Sequence, residues 1–262
     1  MGPDSVLVQR LGSAVVVTLN RPDKMNPLDW ATVRQLRRAL AGIEPDPAIQ
    51  TVVITGAGKA FSAGGDLKGY LGLYRDPSQF RAFLEDFHDL CAAIETSTRI
   101  FVAAVNGACV AGGLELLLAC DVAIAADGAM IGDGHINFAQ LPGAGGSQRL
   151  PRAVDAMRAK HLMLTGRMLA SAEAERIGLV AECVPGDQLM ARAHAFAGAL
   201  ATRSPAAVRS MKRLVNHGMA GSLEDGLRFE MDHVHHYATN HPDATEGLLA
   251  FNDKRPPAFS GA

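Results

Sequence analysis

Apolar and polar positions along this chain fall into two alternating rhythms. Short β-branched runs recur at Ala14–Leu19, Thr51–Thr55 and Ile100–Val105, with the length and composition of strands buried on both faces. Between them lie longer stretches with apolar residues three and four apart. Leu28 to Ile43 places Trp30, Val33, Leu36, Leu40 and Ile43 on one helical face, and Pro45 and Pro47 stop it. Gln79 to Thr96 does the same with Phe80, Phe83, Phe87, Leu90 and Ile94. Two glycine-rich zones interrupt the rhythm, Gly56–Gly65 and Gly128–Ser147, and both read as irregular; a further loop spans Tyr70–Pro77. Val122–Ala125 and Leu179–Val184 read as strands. Leu150–Thr165 reads as a helix, and a short one opens on Ser171 as N-cap and ends at Gly178. Beyond Pro185-Gly186 the pattern is helical throughout. Gln188–Thr202 comes first, then a helix opened by Ser204-Pro205 and ended by Gly218, one starting at Ser222, and a short last one before Lys254-Arg255-Pro256-Pro257. Strands alternating with helices, then helices alone, predict an α/β core over residues 1–202 and a helical segment over 203–262.

The stretch Val102–Val122 departs from both rhythms. After the strand-like run and the Asn106-Gly107 break, a glycine pair, Gly112-Gly113, precedes Leu114-Glu115-Leu116-Leu117-Leu118-Ala119-Cys120, and Asp121 closes the segment. A helix apolar all round is normally buried, which places the Glu115 carboxylate where an unpaired charge is costly and its pKa rises. A first-turn glutamate stabilised by the helix dipole is the plainer reading. The adjacent glycines favour a site with bare main-chain N–H groups.

Composition narrows the class. The chain has 262 residues, 48% of them hydrophobic, with 27 acidic and 25 basic side chains for a net charge of -2. That permits a large core and gives no sign of a nucleic-acid surface. Cys91, Cys109, Cys120 and Cys183 form no close pair and sit among apolar residues, the pattern of reduced thiols in a cytoplasmic protein. No apolar run approaches a bilayer span, and MGPDSVLVQR lacks a signal-peptide core. His233, His235 and His236 stand near Asp232 without a carboxylate cluster at ligand spacing, so no metal site is expected.

Four stretches in order carry a resemblance: Thr55-Gly56 with Ala60-Phe61-Ser62-Ala63-Gly64-Gly65-Asp66-Leu67; Ile100–Val122; Leu141-Pro142-Gly143-Ala144-Gly145-Gly146-Ser147-Gln148-Arg149-Leu150; and Leu164-Thr165-Gly166 through Ala172-Glu173-Ala174 to Gly178-Leu179-Val180. Together they resemble the enoyl-CoA hydratase/isomerase (crotonase) superfamily over nearly the whole chain. The resemblance implies an α/β spiral of β-β-α turns with a C-terminal helical segment that packs on a neighbouring subunit, giving a homotrimer or a dimer of trimers. It implies an acyl-CoA substrate, with coenzyme A as part of the thioester and no permanently bound cofactor.

The resemblance also implies site residues. The N–H groups of Gly65 and Gly112 would hold the thioester enolate, with the buried helix pointing its N-terminus at the oxyanion. Lys24 and Met25, together with Gly65, Asp66, Leu67 and Lys68, would lie along the CoA moiety. Phe251 and Lys254 would reach the cofactor of an adjacent subunit. Lone lysines are equally often just solvated. Hydratases of the superfamily hold one water between two glutamates. Glu115 matches the first, and the second position falls on His135, a departure that histidine can still serve near neutral pH. The expectation is therefore hydration of a 2-enoyl-CoA by Glu115 and His135. A double-bond isomerase and a hydrolase cleaving a C–C bond of a β-oxo or cyclic acyl-CoA are the enzymatic alternatives. A ring-cleaving branch resembles this chain at His135, but its second acid falls on Ala144. Asp133 is a spare candidate for orienting His135, or a plain turn residue. An RNA-binding or structural relative is the non-enzymatic alternative.

Overall fold

The computed structural model describes residues 4–260. Residues 1–3 and 261–262, which begin and end the two expected segments and open the N-terminal decapeptide, lie outside the described residues. In chain order the strands and helices are β1 (Val6–Leu11), β2 (Ala14–Leu19), α1 (Trp30–Ile43), β3 (Thr51–Gly56), β4 (Ala60–Ser62), α2 (Leu67–Leu73), α3 (Pro77–Thr96), β5 (Ile100–Val105), β6 (Ala108–Val110), α4 (Gly112–Ala119), β7 (Val122–Ala126), β8 (Met130–Gly132), α5 (Gly146–Val154), α6 (Ala156–Thr165), β9 (Leu169–Ala170), α7 (Ser171–Arg176), β10 (Glu182–Val184), α8 (Leu189–Ala201), α9 (Pro205–Ala220), α10 (Leu223–Asn240) and α11 (Pro242–Asn252).

Six strands form one sheet in the order β1-β2-β3-β5-β7-β10, and four form a second in the order β4-β6-β8-β9. From β2 to β10 the large sheet is parallel; β1 pairs antiparallel with β2. Three successive turns of chain, from β3, β5 and β7, each give one strand to the large sheet, one to the small sheet and then helix. That repetition is the β-β-α spiral expected from the resemblance. The β-branched runs of β2 and β3 are buried on both faces, as their unbroken apolar pattern requires. One face packs on α1, α3 and α4 through Val17, Leu36, Val52, Phe87 and Leu114; the other packs on α8 through Val53, Val102, Ile124, Leu189 and Ala193.

Several boundaries differ from the sequence reading. The glycine-rich zones are not wholly irregular: β4 lies inside Gly56–Gly65, and β8 with a 3-10 turn at His135–Phe138 lies inside Gly128–Ser147. Strands of three residues carry no readable period; their hydrogen bonds come from one another across the small sheet. The glycines let these turns touch: a Cβ on Gly56 would stand 2.1 Å from the Ala60 carbonyl oxygen. The first half of Tyr70–Pro77 is helical, capped by Asp66. Leu150–Thr165 is two helices, α5 and α6, parted at Asp155, whose φ of 77° is left-handed. Ser171 is not an N-cap; Ala170 holds that position and the Ser171 hydroxyl donates to the Asp127 carbonyl. The last strand starts at Glu182, and Gly218 does not end α9, which runs on to Ala220. The expected cap at Ser204 is present, and Ser222, expected to begin the next helix, caps it.

The helical segment is fastened to the core by a buried cation. Lys212 of α9 donates from Nζ to the carbonyls of Ile94 (2.7 Å) and Arg99 (2.9 Å) and to Asp121 Oδ2 (2.9 Å). Asp121 accepts in turn from the Phe101 amide.

Candidate active site

Helix α4 begins without a side-chain cap. The residue before it, Ala111, sits at φ 51°, ψ −116°, outside the regions open to an ordinary L-residue without strain. The strain turns the chain so that α4 starts at the buried Gly112, beside the Gly64-Gly65 turn: a Cβ on Gly64 would lie 3.2 Å from the Gly112 nitrogen. The Gly64 carbonyl accepts from Leu28 and its amide donates to Ser62 Oγ, which itself donates to the Asn26 carbonyl. Among the described residues, the amides of Gly65 and Gly112 meet no backbone acceptor outside the helices and strands. Two glycine turns distant in sequence thus abut at the start of an uncapped buried helix.

One turn into α4, the Glu115 side chain is buried (2% exposed). Its Oε1 accepts from the amides of Ala144 (2.7 Å), in the loop before α5, and Gly146 (2.9 Å), the first residue of α5. Its Oε2 faces His135 Nε2 at 3.9 Å. The gap is too long for a direct hydrogen bond and of the span a bridging water takes. On its other side His135 Nδ1 lies 3.1 Å from Asp133 Oδ2, and the His135 amide donates to Asp133 Oδ1 at 3.3 Å. Asp133 is itself 1% exposed. Burial pushes the Glu115 pKa up against the pull of its two amide donors and of His135. Burial alone would lower that of His135; the Asp133 hydrogen bond and the charges of Asp133 and Glu115 outweigh it, and the net shift is upward.

Gly112, Glu115, His135 and Ala144 line a cavity of about 200 Å³. One wall is the aromatic side of α2 and α3, with Tyr70, Tyr74, Phe80, Phe83, Leu84 and Phe87; the other runs from Gln140 to Ala144. The Tyr70 hydroxyl lies over Gly65, 1.9 Å from where a Cβ would stand. The sequence points to the Tyr70–Pro77 loop as pocket wall without singling out Tyr70 or Tyr74, gives no sign of Gln140, and assigns Phe80, Phe83 and Phe87 to a core face. The signal was present in the Tyr70/Tyr74 pair one helical turn apart, ahead of the phenylalanine face.

The residues expected along coenzyme A divide into two groups. Lys24 and Met25 are exposed, and the Met25 carbonyl accepts from Ala63, which ties their loop to the Gly64-Gly65 turn. Asp66 caps α2, with Leu67 and Lys68 exposed in its first turn. Those six expected residues therefore lie on two segments tied together at the Gly64-Gly65 turn, and none of them lines the Glu115 cavity. Phe251 (82% exposed) and Lys254 stand at the far end of α11, away from the residues lining the Glu115 cavity. A larger hollow of about 740 Å³ under the C-terminal helices is lined by His233 and His236 among others, and no group of three potential metal ligands occurs among the described residues. The four cysteines are free thiols, and burial pushes Cys91 up to about 12. Among the described residues no helix is long and apolar enough to cross a membrane.

Comparison with known proteins completes the picture. A family model described as enoyl-CoA hydratase/isomerase matches residues 10–262. A chain from Mycobacterium bovis named "probable enoyl-CoA hydratase" is 41% identical over 261 residues, with 98% of each chain covered. One of the same name from Rhizobium meliloti is 38% identical over 260 residues, with 99% of each covered. The crystal structure of an enoyl-CoA hydratase from Bacillus anthracis superposes with a TM-score of 0.93 at 36% identity, over 99% of this chain and 100% of that one.

Proposed function

We propose, from the premise that this chain belongs to the enoyl-CoA hydratase/isomerase (crotonase) family, that it is a hydratase adding water across the double bond of a 2-enoyl-CoA. The observation that carries this reading is the facing pair: Glu115 Oε2 and His135 Nε2, 3.9 Å apart, each fixed from behind by buried partners. Two proton-exchanging groups on one side of a substrate are what syn addition of water requires.

The chemistry follows from the arrangement. Glu115, its other oxygen tied to Ala144 and Gly146, takes a proton from the water as its oxygen bonds to the β-carbon. The π electrons move onto the thioester carbonyl, and the oxyanion is received by the amides of Gly65 and Gly112. Removal of one such donor costs roughly 10²–10³ in rate. Protonated His135 delivers a proton from Nε2 to the α-carbon, and the proton gained by Glu115 returns to His135 once product leaves. Asp133 keeps the Nδ1 proton in place through both states, so Nε2 is always the working nitrogen. The two segments carrying Lys24, Met25, Asp66, Leu67 and Lys68 are where the CoA moiety would lie, and a lysine suits a phosphate as a point charge. Phe251 and Lys254 would serve a neighbouring subunit in a trimer or dimer of trimers.

The competing reactions fit less well. The C–C hydrolase lacks its second acid, since Ala144 is fully buried and its amide is spent on Glu115. A double-bond shift needs one carboxylate and leaves the Asp133–His135 pair without work. An acyl-CoA panel read by mass spectrometry tests the assignment. Gain of one water with the carbon skeleton intact is the expected result. An unchanged mass with a moved double bond, or a cleaved carbon chain, overturns it.

A further inference from the structure

We infer that the pocket beside Glu115 and His135 selects a neutral ring-bearing acyl group, so that the enoyl thioester taken by this chain carries an aryl substituent at its β-carbon in place of a long alkyl tail; this rests on the hydratase reading and sharpens it. Five aromatic rings form a continuous surface along the pocket. Tyr70 stacks on Tyr74 with centroids 5.8 Å apart, Tyr74 meets Phe80 edge-on at 4.8 Å, and Phe80, Phe83 and Phe87 follow at 6.4 and 6.2 Å. Tyr70 also touches Phe83 at 5.8 Å, so the surface closes on itself. Rings at such separations gain from edge and offset contacts that a flexible chain cannot make.

Reach is limited as well. The Tyr74 hydroxyl donates to Gln140 Oε1, which straps the α2 wall to the wall that follows His135. At about 200 Å³ the cavity falls below the ~300–1,000 Å³ usual for drug-sized ligands. Charge is excluded too: apart from Glu115 and His135, the side chains lining it are aromatic, aliphatic or the Gln140 amide. A planar, uncharged group of one ring matches these three features, whereas a long alkyl tail meets the strap.

The experiment compares cinnamoyl-CoA, crotonyl-CoA and trans-2-hexadecenoyl-CoA on the full-length enzyme. Conjugation holds the first equilibrium towards the alkene, so 3-hydroxy-3-phenylpropanoyl-CoA is followed in the dehydration direction alongside it. The expected result is a kcat/KM for the aryl substrate about tenfold or more above that for the long chain, since each ring contact contributes a few-fold to tenfold. Phe80→Ala is expected to lower that aryl-to-long-chain ratio several-fold, and Tyr74→Phe, which frees the strap, to lower it by raising the long-chain term. Because the readout is a ratio within one preparation, partial loss of folded protein does not imitate it. Equal or better use of the hexadecenoyl thioester, or a ratio unmoved in both variants, overturns the inference. Hydration of crotonyl-CoA with refusal of the aryl substrate also overturns it while leaving the hydratase reading intact. If no thioester is hydrated, the hydratase reading falls. Competition between 3-phenylpropanoyl-CoA and hexadecanoyl-CoA for binding then decides the pocket: tighter binding of the aryl thioester upholds the selectivity, and weaker or equal binding overturns it.

Discussion

A carboxylate with two main-chain donors on one oxygen and an imidazole facing the other is oriented before any substrate arrives. Glu115→Gln keeps an oxygen for the Ala144 and Gly146 amides and removes a buried charge, so the fold is expected to persist with an unchanged or raised melting temperature. Turnover is expected to fall by at least about 10², the contribution of a positioned general base. A variant with near wild-type kcat would remove Glu115 from the chemistry. The imidazole supplies the pH dependence. In the proposed mechanism Glu115 works ionised and His135 protonated, so kcat/KM is expected to rise as pH climbs through the glutamate pKa, held above its ordinary value by burial. It falls as pH passes that of His135, which the Asp133 hydrogen bond and charge hold above the ordinary imidazole value despite burial. Asp133→Asn keeps the size of the side chain and removes its charge, and the alkaline limb is expected to move to lower pH. The acid limb moves the same way by less, because Asp133 is a smaller influence on Glu115. A pH–rate profile of the variant with its alkaline limb unmoved would show that Asp133 is only a turn residue.

At the scale of elements, what could be read in advance was whatever carries its own period or cap. The runs of β2, β3 and β5 are buried on both faces and announce themselves by composition; α1, α3, the cap at Ser204 and the helix start at Ser222 do so by spacing and chemistry. Glu115 was legible for the same reason, as one charge in an otherwise apolar helix. The three-residue strands β4, β6 and β8 were not, because their pairing comes from the spiral bringing distant turns together. Asp155 hid the break between α5 and α6, since a left-handed non-glycine residue leaves no mark in a helical pattern. Lys212 went unread for a related reason. A lysine on an amphipathic helix looks solvated, and its acceptors at Ile94, Arg99 and Asp121 lie about a hundred residues away in the chain. Lys212→Met is expected to destabilise the protein by roughly 3–5 kcal/mol, the cost of leaving a buried partner charge unpaired. Asp121 is already pushed towards its neutral form by burial, so adding Asp121→Asn should return part of the loss. Denaturant unfolding of the single and double variants measures both, and a midpoint unchanged by Lys212→Met would contradict the account.

The whole molecule shows a surface that one chain leaves uncovered. Met211, Val215 and Met219 of α9 and Leu223, Leu227 and Met231 of α10 are each more than half exposed, and α10 has no fully buried residue. An apolar face of that extent is of the kind that marks a protein contact, and the trimer proposed above would cover it. The proposed assembly would also give Phe251 and Lys254 a purpose, for neither the end of α11 nor the turn after it lines the cavity of its own chain. If Lys254 contacts a CoA phosphate bound to the next subunit, Lys254→Ala should raise KM by about tenfold, a charge-assisted hydrogen bond's worth, with kcat little changed. Glu115→Gln should instead depress kcat. Mixed assemblies then separate action across subunits from action within one. When chains bearing Lys254→Ala are co-assembled with chains bearing Glu115→Gln, some sites combine an intact Glu115 with a lysine supplied by the neighbour. Those sites should regain a wild-type KM that neither parent assembly possesses. Were Lys254 to act within its own chain, every site with an intact Glu115 would still lack the lysine, and mixing would leave KM as high as in the Lys254→Ala parent.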